Sequence, residues 1–133
     1  MAKCWEGREP VEDVVEFCKE ALGRGLPRAK RIAVQRRPSF VTNYIEAEAH
    51  AVLLRKLGRS LAPEWLLAGG LPVVRVLPQE EDRAKELIAR YTDKDWSLCD
   101  AISFAVMERR GVRTAFSFDV HFRQYGKLEV LGL

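Results

Sequence analysis

The sequence lacks a long apolar run. None of its stretches approaches the roughly 18 consecutive apolar residues of a membrane-spanning helix, and residues 1–15 lack the apolar centre of a secretion signal. Its three cysteines, Cys4, Cys18 and Cys99, are an odd number without metal-ligand spacing, which predicts free thiols in a reducing compartment. With 133 residues, 47% of them hydrophobic, the chain is predicted to form one soluble, cytoplasmic domain over residues 1–133.

Histidine and net charge are scarce as well. The two histidines, His50 and His121, have no partner at the spacing of a zinc motif, so we assign both to surface or packing positions and expect no zinc site. The net charge of +3 is only mildly basic and permits an anionic partner without requiring one.

The most informative stretch spans residues 93–122 and predicts a helix, a tight turn and a strand. Ser97 followed by Asp100 has the spacing of a capping box. Apolar residues recur between Leu98 and Val106 at the spacing of a helix with one buried face. Gly111 is placed to end this helix.

A β-prone run, residues 114–118, follows the turn and ends immediately before Asp119. Asp100 and Asp119 are therefore predicted at the edge of the sheet where strands end and helices begin, which is where open α/β sheets bind ligands. Both residues have an alternative role. Asp100 could serve only in the capping box, and Asp119 could cap a short helix over residues 121–124.

The rest of the chain alternates between helical and β-prone segments. The helices are predicted at residues 10–23, 43–57, 61–68, 78–91 and 98–110, and the strands at 32–34, 39–41, 71–77, 114–118 and 128–131. This alternation predicts an α/β fold with a mostly parallel sheet between layers of helices, joined by right-handed crossovers.

Carboxylates that converge at a strand edge are suited to Mg²⁺ or Mn²⁺, which prefer oxygen ligands. Such an ion can polarise a phosphoryl oxygen. Because an acidic edge repels phosphate until a metal binds, basic residues on its rim would attract the substrate. The candidates are Arg36, Arg37, Arg113, Arg123 and Lys127. A further acid could come from the helix at 43–57, where the pattern alone does not decide between Glu46 and Glu48, and Glu46 could simply cap that helix.

A family resemblance adds to these observations. Residues 97–122, SLCDAISFAVMERRGVRTAFSFDVHF, resemble the C-terminal half of PIN-domain ribonucleases, the toxins of VapBC-type toxin–antitoxin pairs. Residues 40–58, FVTNYIEAEAHAVLLRKLG, resemble the family segment in which a Thr precedes a helix with a buried Glu, and that alignment selects Glu48. The matching features of the C-terminal run are Asp100, Ser103 to Met107, Gly111, Ser117-Phe118-Asp119 and His121-Phe122.

The resemblance, which covers residues 38–125, implies a PIN-like α/β/α sandwich with a parallel five-stranded sheet. The implied activity is Mg²⁺- or Mn²⁺-dependent endonucleolytic cleavage of single-stranded RNA, with a cognate antitoxin as partner. By transfer, Glu48, Asp100 and Asp119 would hold the metal and Ser117 would orient the site.

The N-terminus departs from the family pattern, which opens with an apolar strand ending in a metal-ligand Asp. This chain begins MAKCWEGREP, and we expect no apolar strand before the helix at Pro10. Either the start is truncated relative to the family, or residues 31–35 take the central strand position. Loss of the first acid would give the alternative function, a catalytically weak or inactive PIN-like protein that binds RNA or an antitoxin. Because such a sheet would expose its interior, we also expect a homodimer.

Overall fold

A computed structural model of the chain describes residues 2–4, 39–68, 72–117 and 119–131. The predicted helix at 10–23 and the predicted strand at 32–34 lie outside the described residues, as does the segment 31–35. The described elements are, in chain order, β1 (Ala2–Cys4), β2 (Val41–Thr42), α1 (Asn43–Ala68), β3 (Val73–Val74), α2 (Pro78–Arg90), α3 (Leu98–Arg110), β4 (Thr114–Ser117), α4 (Val120–Gln124) and β5 (Glu129–Leu131).

The strands of the described residues form two hydrogen-bonded groups, β1-β4-β5 and β2-β3. β4 runs parallel to β5, with Phe116 opposite Leu131, and β2 runs parallel to β3, with Val41 opposite Val73. β1 runs antiparallel to β4. The predicted mixture of helices with a mostly parallel sheet is therefore confirmed, whereas a sheet that is parallel throughout is not what the described strands form.

One short strand, β1 at Ala2–Cys4, lies before residue 10; it does not contradict the expectation that no apolar strand precedes the predicted helix at Pro10. This segment is not an apolar run, so hydrophobic pattern could not reveal it. Three residues nevertheless offer enough backbone N–H and C=O groups to pair along the edge of β4, in the register Ala2 to Ser117 and Cys4 to Ala115. β1 contains no Asp.

α1 begins where Thr42 Oγ1 accepts a hydrogen bond from the backbone N–H of Ile45. Gly58 interrupts it with a non-helical backbone, φ 79° and ψ −173°, so the predicted division into helices at 43–57 and 61–68 is confirmed. Beyond the break, Ala62 packs back against Leu53, and both side chains are buried. In the part of the chain that the structure describes, no helix is long and apolar enough to cross a membrane.

α3 is the most buried of the described helices. Its first turn is closed by Ser97 and Asp100, and it ends at Gly111 in the left-handed conformation, φ 66°. All seven residues from Ala101 to Met107 are buried. The prediction of a single buried face is therefore corrected: α3 is buried on several sides, because α2 and β1 are among the elements that contact it.

An aromatic cluster holds α4 and Tyr125 against α3. The rings of Phe104 and Tyr125 are stacked with centroids 4.3 Å apart, and Phe122 meets Phe104 edge-on at 4.9 Å. Trp96 closes the cluster at 5.1 Å from Phe104. Because these contacts fix α4 relative to α3, they also fix the loop after β4 beside the first turn of α3. Asp119 and Asp100 occupy those two positions.

Candidate active site

Asp100 is both a helix cap and a member of the candidate site. Its backbone N–H donates to Ser97 Oγ at 3.1 Å, and its Oδ2 accepts from the backbone N–H of Ser97 at 3.0 Å. The predicted capping box is thus confirmed. The side chain is only 13% exposed, so the cap fixes this carboxylate in a partly buried position at the start of α3.

Asp119 lies between β4 and α4, at the C-terminal end of the strand. Its Oδ1 accepts from the backbone N–H of His121 at 2.9 Å, which confirms that it caps a short helix. Its own backbone N–H donates to Ser117 Oγ at 3.0 Å. Ser117 is fully buried, so its hydroxyl fixes the direction in which the chain leaves β4 and thereby the place of Asp119.

The ring of His121 lies between the two aspartates. Its Nδ1 lies 3.2 Å from Asp100 Oδ2 and 3.1 Å from Asp119 Oδ1. One donor atom from each of the three side chains lies within 4.8 Å of the other two. The prediction that His121 is only a surface or packing residue is therefore corrected, because its half-buried ring belongs to the cluster with Asp100 and Asp119. The spacing Asp-x-His across a helix cap was the signal that could have indicated it.

Glu48 lies beside this cluster without joining it. Its Oε2 accepts a hydrogen bond from Cys99 Sγ at 3.2 Å, and Cys99 directly precedes Asp100. Of the three predicted acids, the structure brings Asp100 and Asp119 into one cluster and places Glu48 next to the same turn of α3. Glu46 lies in the first turn of α1. The side chain that accepts a backbone N–H at the start of this helix is that of Thr42.

The electrostatics of Cys99 reflect the acids around it. Burial raises the pKa of the Cys99 thiol far above its ordinary value, and the negative charges of Glu48 and then Asp100 raise it further. The thiol therefore stays protonated and acts as a hydrogen-bond donor to Glu48.

Two of the predicted rim cations lie at the wrong end of the fold. Arg113 precedes β4, about 13 Å along the chain from the strand end that carries Asp119, at a rise near 3.3 Å per residue. Lys127 Nζ lies 3.5 Å from Glu108 Oε1. Glu108 is near the C-terminal end of α3, whereas Asp100 is in its first turn. Arg123 is exposed and follows His121 in α4. Arg36 and Arg37 lie outside the described residues.

The donor atoms of the cluster fit a divalent cation. Two carboxylates supply hard oxygen ligands and the imidazole supplies a nitrogen that suits first-row transition ions. All three side chains are partly accessible, with exposures of 13%, 28% and 38% for Asp100, His121 and Asp119. An ion and a substrate can therefore reach them.

Fold and site together define an α/β domain with a carboxylate cluster at the C-terminal edge of a strand. The chain belongs to the PIN-domain family, whose family model matches residues 20–128. This confirms the resemblance found in the sequence.

Two further comparisons agree. One relative is VapC20 of Mycobacterium tuberculosis, which is named as a 23S rRNA-specific endonuclease. It is 33% identical over 106 residues, which are 77% of this chain and 81% of the relative. The sequences from strains CDC 1551 / Oshkosh and ATCC 25618 / H37Rv match equally well. The crystal structure of M. tuberculosis VapC20, described as a sarcin-ricin loop cleaving toxin, matches with a TM-score of 0.69 and 31% identity over 88% of this chain and 95% of that one. The PIN-like α/β/α fold is thus confirmed.

Proposed function

We propose that this chain is an endoribonuclease that cleaves single-stranded RNA as the toxin of a toxin–antitoxin pair, with Mg²⁺ or Mn²⁺ as its cofactor. The observation that carries the proposal is the convergence of Asp100 and Asp119 on His121 Nδ1, at 3.2 and 3.1 Å. It occurs in a PIN-domain chain that is 33% identical to an RNA-cleaving relative. Since VapC20 is named for 23S rRNA and the sarcin-ricin loop, RNA containing that loop is the first substrate to test.

Asp100 and Asp119 would hold the ion, and Glu48 would contribute from the neighbouring position on α1. A bound divalent cation would supply positive charge to stabilise the negative charge that gathers on the phosphodiester oxygens during cleavage. Without it, the carboxylates repel the RNA backbone.

The chain's own residues hold this arrangement in place. Ser117 acts as a positioning residue, since its buried hydroxyl accepts the backbone N–H of Asp119. Cys99 holds the Glu48 carboxylate against the first turn of α3. Arg123, exposed on α4, is the predicted rim cation whose place in the chain suits attraction of RNA phosphates to the acidic edge.

The alternative function is a PIN-like protein that binds RNA or an antitoxin without cutting. It would follow from the missing N-terminal Asp, since β1 contains no acid. Similarity to an endonuclease over most of the chain favours the active enzyme. The alternative predicts RNA binding that weakens with salt and no cleavage at any metal concentration.

We further propose that an antitoxin masks the site and that two copies of the chain form a homodimer. We also propose that the protein is a single domain that acts in the cytoplasm, where its RNA substrate would be. Exposed apolar side chains on α1 support a partner surface: Leu54, Leu61, Leu66 and Leu67 are 42%, 47%, 39% and 85% exposed.

The test is cleavage of an RNA that carries the sarcin-ricin loop, with Mg²⁺ or Mn²⁺ added. The wild-type chain should cut it, and both Asp100→Asn and Asp119→Asn should lower the rate by about 100-fold or more, as loss of a charge-stabilising group does. Asp82→Asn is the matched control, because this α2 acid is 75% exposed and away from the cluster. Undiminished cleavage in both site variants would remove these acids from the mechanism.

A further inference from the structure

The candidate site contains one nitrogen donor among its carboxylate oxygens. We propose that Nδ1 of His121 is itself a ligand of the metal ion, together with Asp100 and Asp119. The site should then favour Mn²⁺ and later first-row divalent ions over Mg²⁺, because imidazole nitrogen suits those ions and Mg²⁺ prefers oxygen. The inference rests on the proposed function, since it concerns the metal of that same site.

The spacing of the three atoms supports ligation. In an octahedral site with bonds of about 2.1 Å, neighbouring ligand atoms lie about 3.0 Å apart. The two distances from His121 Nδ1 to the carboxylate oxygens are 3.2 and 3.1 Å. Three protein ligands would leave the remaining positions of such an ion for water and substrate.

The carboxylates do not depend on the histidine for their positions. Asp100 Oδ2 accepts the backbone N–H of Ser97, and Asp119 Oδ1 accepts the backbone N–H of His121. A single Nδ1–H could not point straight at both oxygens at once. The ring is thus poorly explained as a hydrogen-bond bridge alone.

The other ring nitrogen can carry the proton instead. Among the described residues, Nε2 of His121 has no hydrogen-bond partner, and the side chain is 28% exposed, so an Nε2–H can donate to solvent. That tautomer leaves the Nδ1 lone pair directed towards the two carboxylates. A cation between the three atoms would turn their mutual repulsion into attraction.

The first experiment detects the nitrogen directly. Mn²⁺ is added to the full chain and its coupling to ¹⁴N is measured by pulsed electron paramagnetic resonance. The chain has two histidines, His50 and His121, so His50→Asn is a matched control. Nitrogen coupling should appear in the wild type and in His50→Asn and vanish in His121→Asn. Its absence from wild type with bound Mn²⁺ would overturn the inference.

The second experiment measures affinity for Mg²⁺, Mn²⁺, Co²⁺ and Ni²⁺ by calorimetry. In His121→Asn, an amide NH₂ bonded to Cγ takes the place of the ring nitrogen Nδ1, so the imidazole ligand is removed. Affinity for Co²⁺ and Ni²⁺ should fall by about tenfold or more, while that for Mg²⁺ changes by less than about threefold. Equal losses for all four ions would show that His121 only supports the carboxylates.

RNA cleavage measured on the same samples separates this inference from the proposed function. A wild-type chain that cleaves RNA with Mn²⁺ bound but lacks nitrogen coupling overturns the inference alone. A wild-type chain that shows nitrogen coupling and a His121-dependent preference for Ni²⁺, yet leaves RNA intact, supports the inference and removes the nuclease function.

Discussion

The thiol of Cys99 donates a 3.2 Å hydrogen bond to Oε2 of Glu48, although the two residues are 51 positions apart in the chain. The contact joins α1 to the first turn of α3, where Asp100 lies. Glu48 is exposed on α1, and an exposed Glu side chain ordinarily moves among several rotamers. The thiol therefore restricts this carboxylate to the side of the site.

This pair predicts a thiol of low reactivity. With Cys4 and Cys18 replaced by Ser, folded Cys99 should react far more slowly with iodoacetamide than the urea-unfolded chain between about pH 7 and 10, where free thiols ionise. The reason is that burial, Glu48 and Asp100 raise its pKa. Glu48→Gln should speed the reaction because it removes one negative charge that opposes the thiolate. Equal rates in folded and unfolded chains, measured by mass spectrometry, would contradict the prediction.

A second prediction separates the two roles of Asp100. Asp100→Asn keeps an acceptor for the Ser97 N–H, so the free energy of unfolding should change by less than about 0.5 kcal/mol, whereas Asp100→Ala should lose about 1 kcal/mol with the cap. Both variants should lose RNA cleavage. Ser97→Ala is the converse control, expected to lose a similar stability and keep cleavage. Urea unfolding and cleavage assays measure both. Equal destabilisation by Asn and Ala would show that charge, not capping, stabilises this turn.

Local signals explain which parts of the fold could be predicted. The ends of α3 follow from Ser97, Asp100 and Gly111, each of which acts on residues within one turn of itself. Gly58 likewise marked the break in α1. Pairing of β1 with β4 could not be predicted, because it joins residues more than a hundred positions apart and depends on backbone groups that any sequence supplies.

The site was predictable in part for the same reason. Position at a strand end indicated Asp119, and the cap indicated Asp100. Pattern alone did not distinguish Glu48 from Glu46; the family alignment did. The place of His121 depends on how α4 packs against α3, since His121 is 21 positions from Asp100. The spacing rules for zinc motifs do not apply to a cluster assembled from two separate turns.

A third prediction concerns Gly111. Its φ of 66° lies in the left-handed region, and a Cβ added there would meet nothing within 4 Å. Gly111→Ala should therefore lower the free energy of unfolding by about 1 kcal/mol, because it introduces only backbone strain. Gly111→Asn should lower it by less, because Asn tolerates this conformation better. Urea unfolding measures the difference, with RNA cleavage unchanged as a control. An unchanged stability in Gly111→Ala would mean that α3 ends differently.

The last prediction concerns Glu108, which accepts from Arg83 Nε at 3.0 Å and from the Tyr125 hydroxyl. Burial alone would raise its pKa, but the hydrogen bonds from Arg83 and Tyr125 outweigh burial and lower the pKa below its ordinary 4.5. The carboxylate thus stabilises the fold above about pH 4.5 and loses that effect as the pH falls through the lower folded pKa. Glu108→Gln should cost about 1 to 2 kcal/mol at pH 7 and less at pH 3, in urea unfolding. Glu86→Gln, whose side chain is 69% exposed, should change stability by less than about 0.5 kcal/mol. A Glu108→Gln deficit of equal size at both pH values would contradict the prediction.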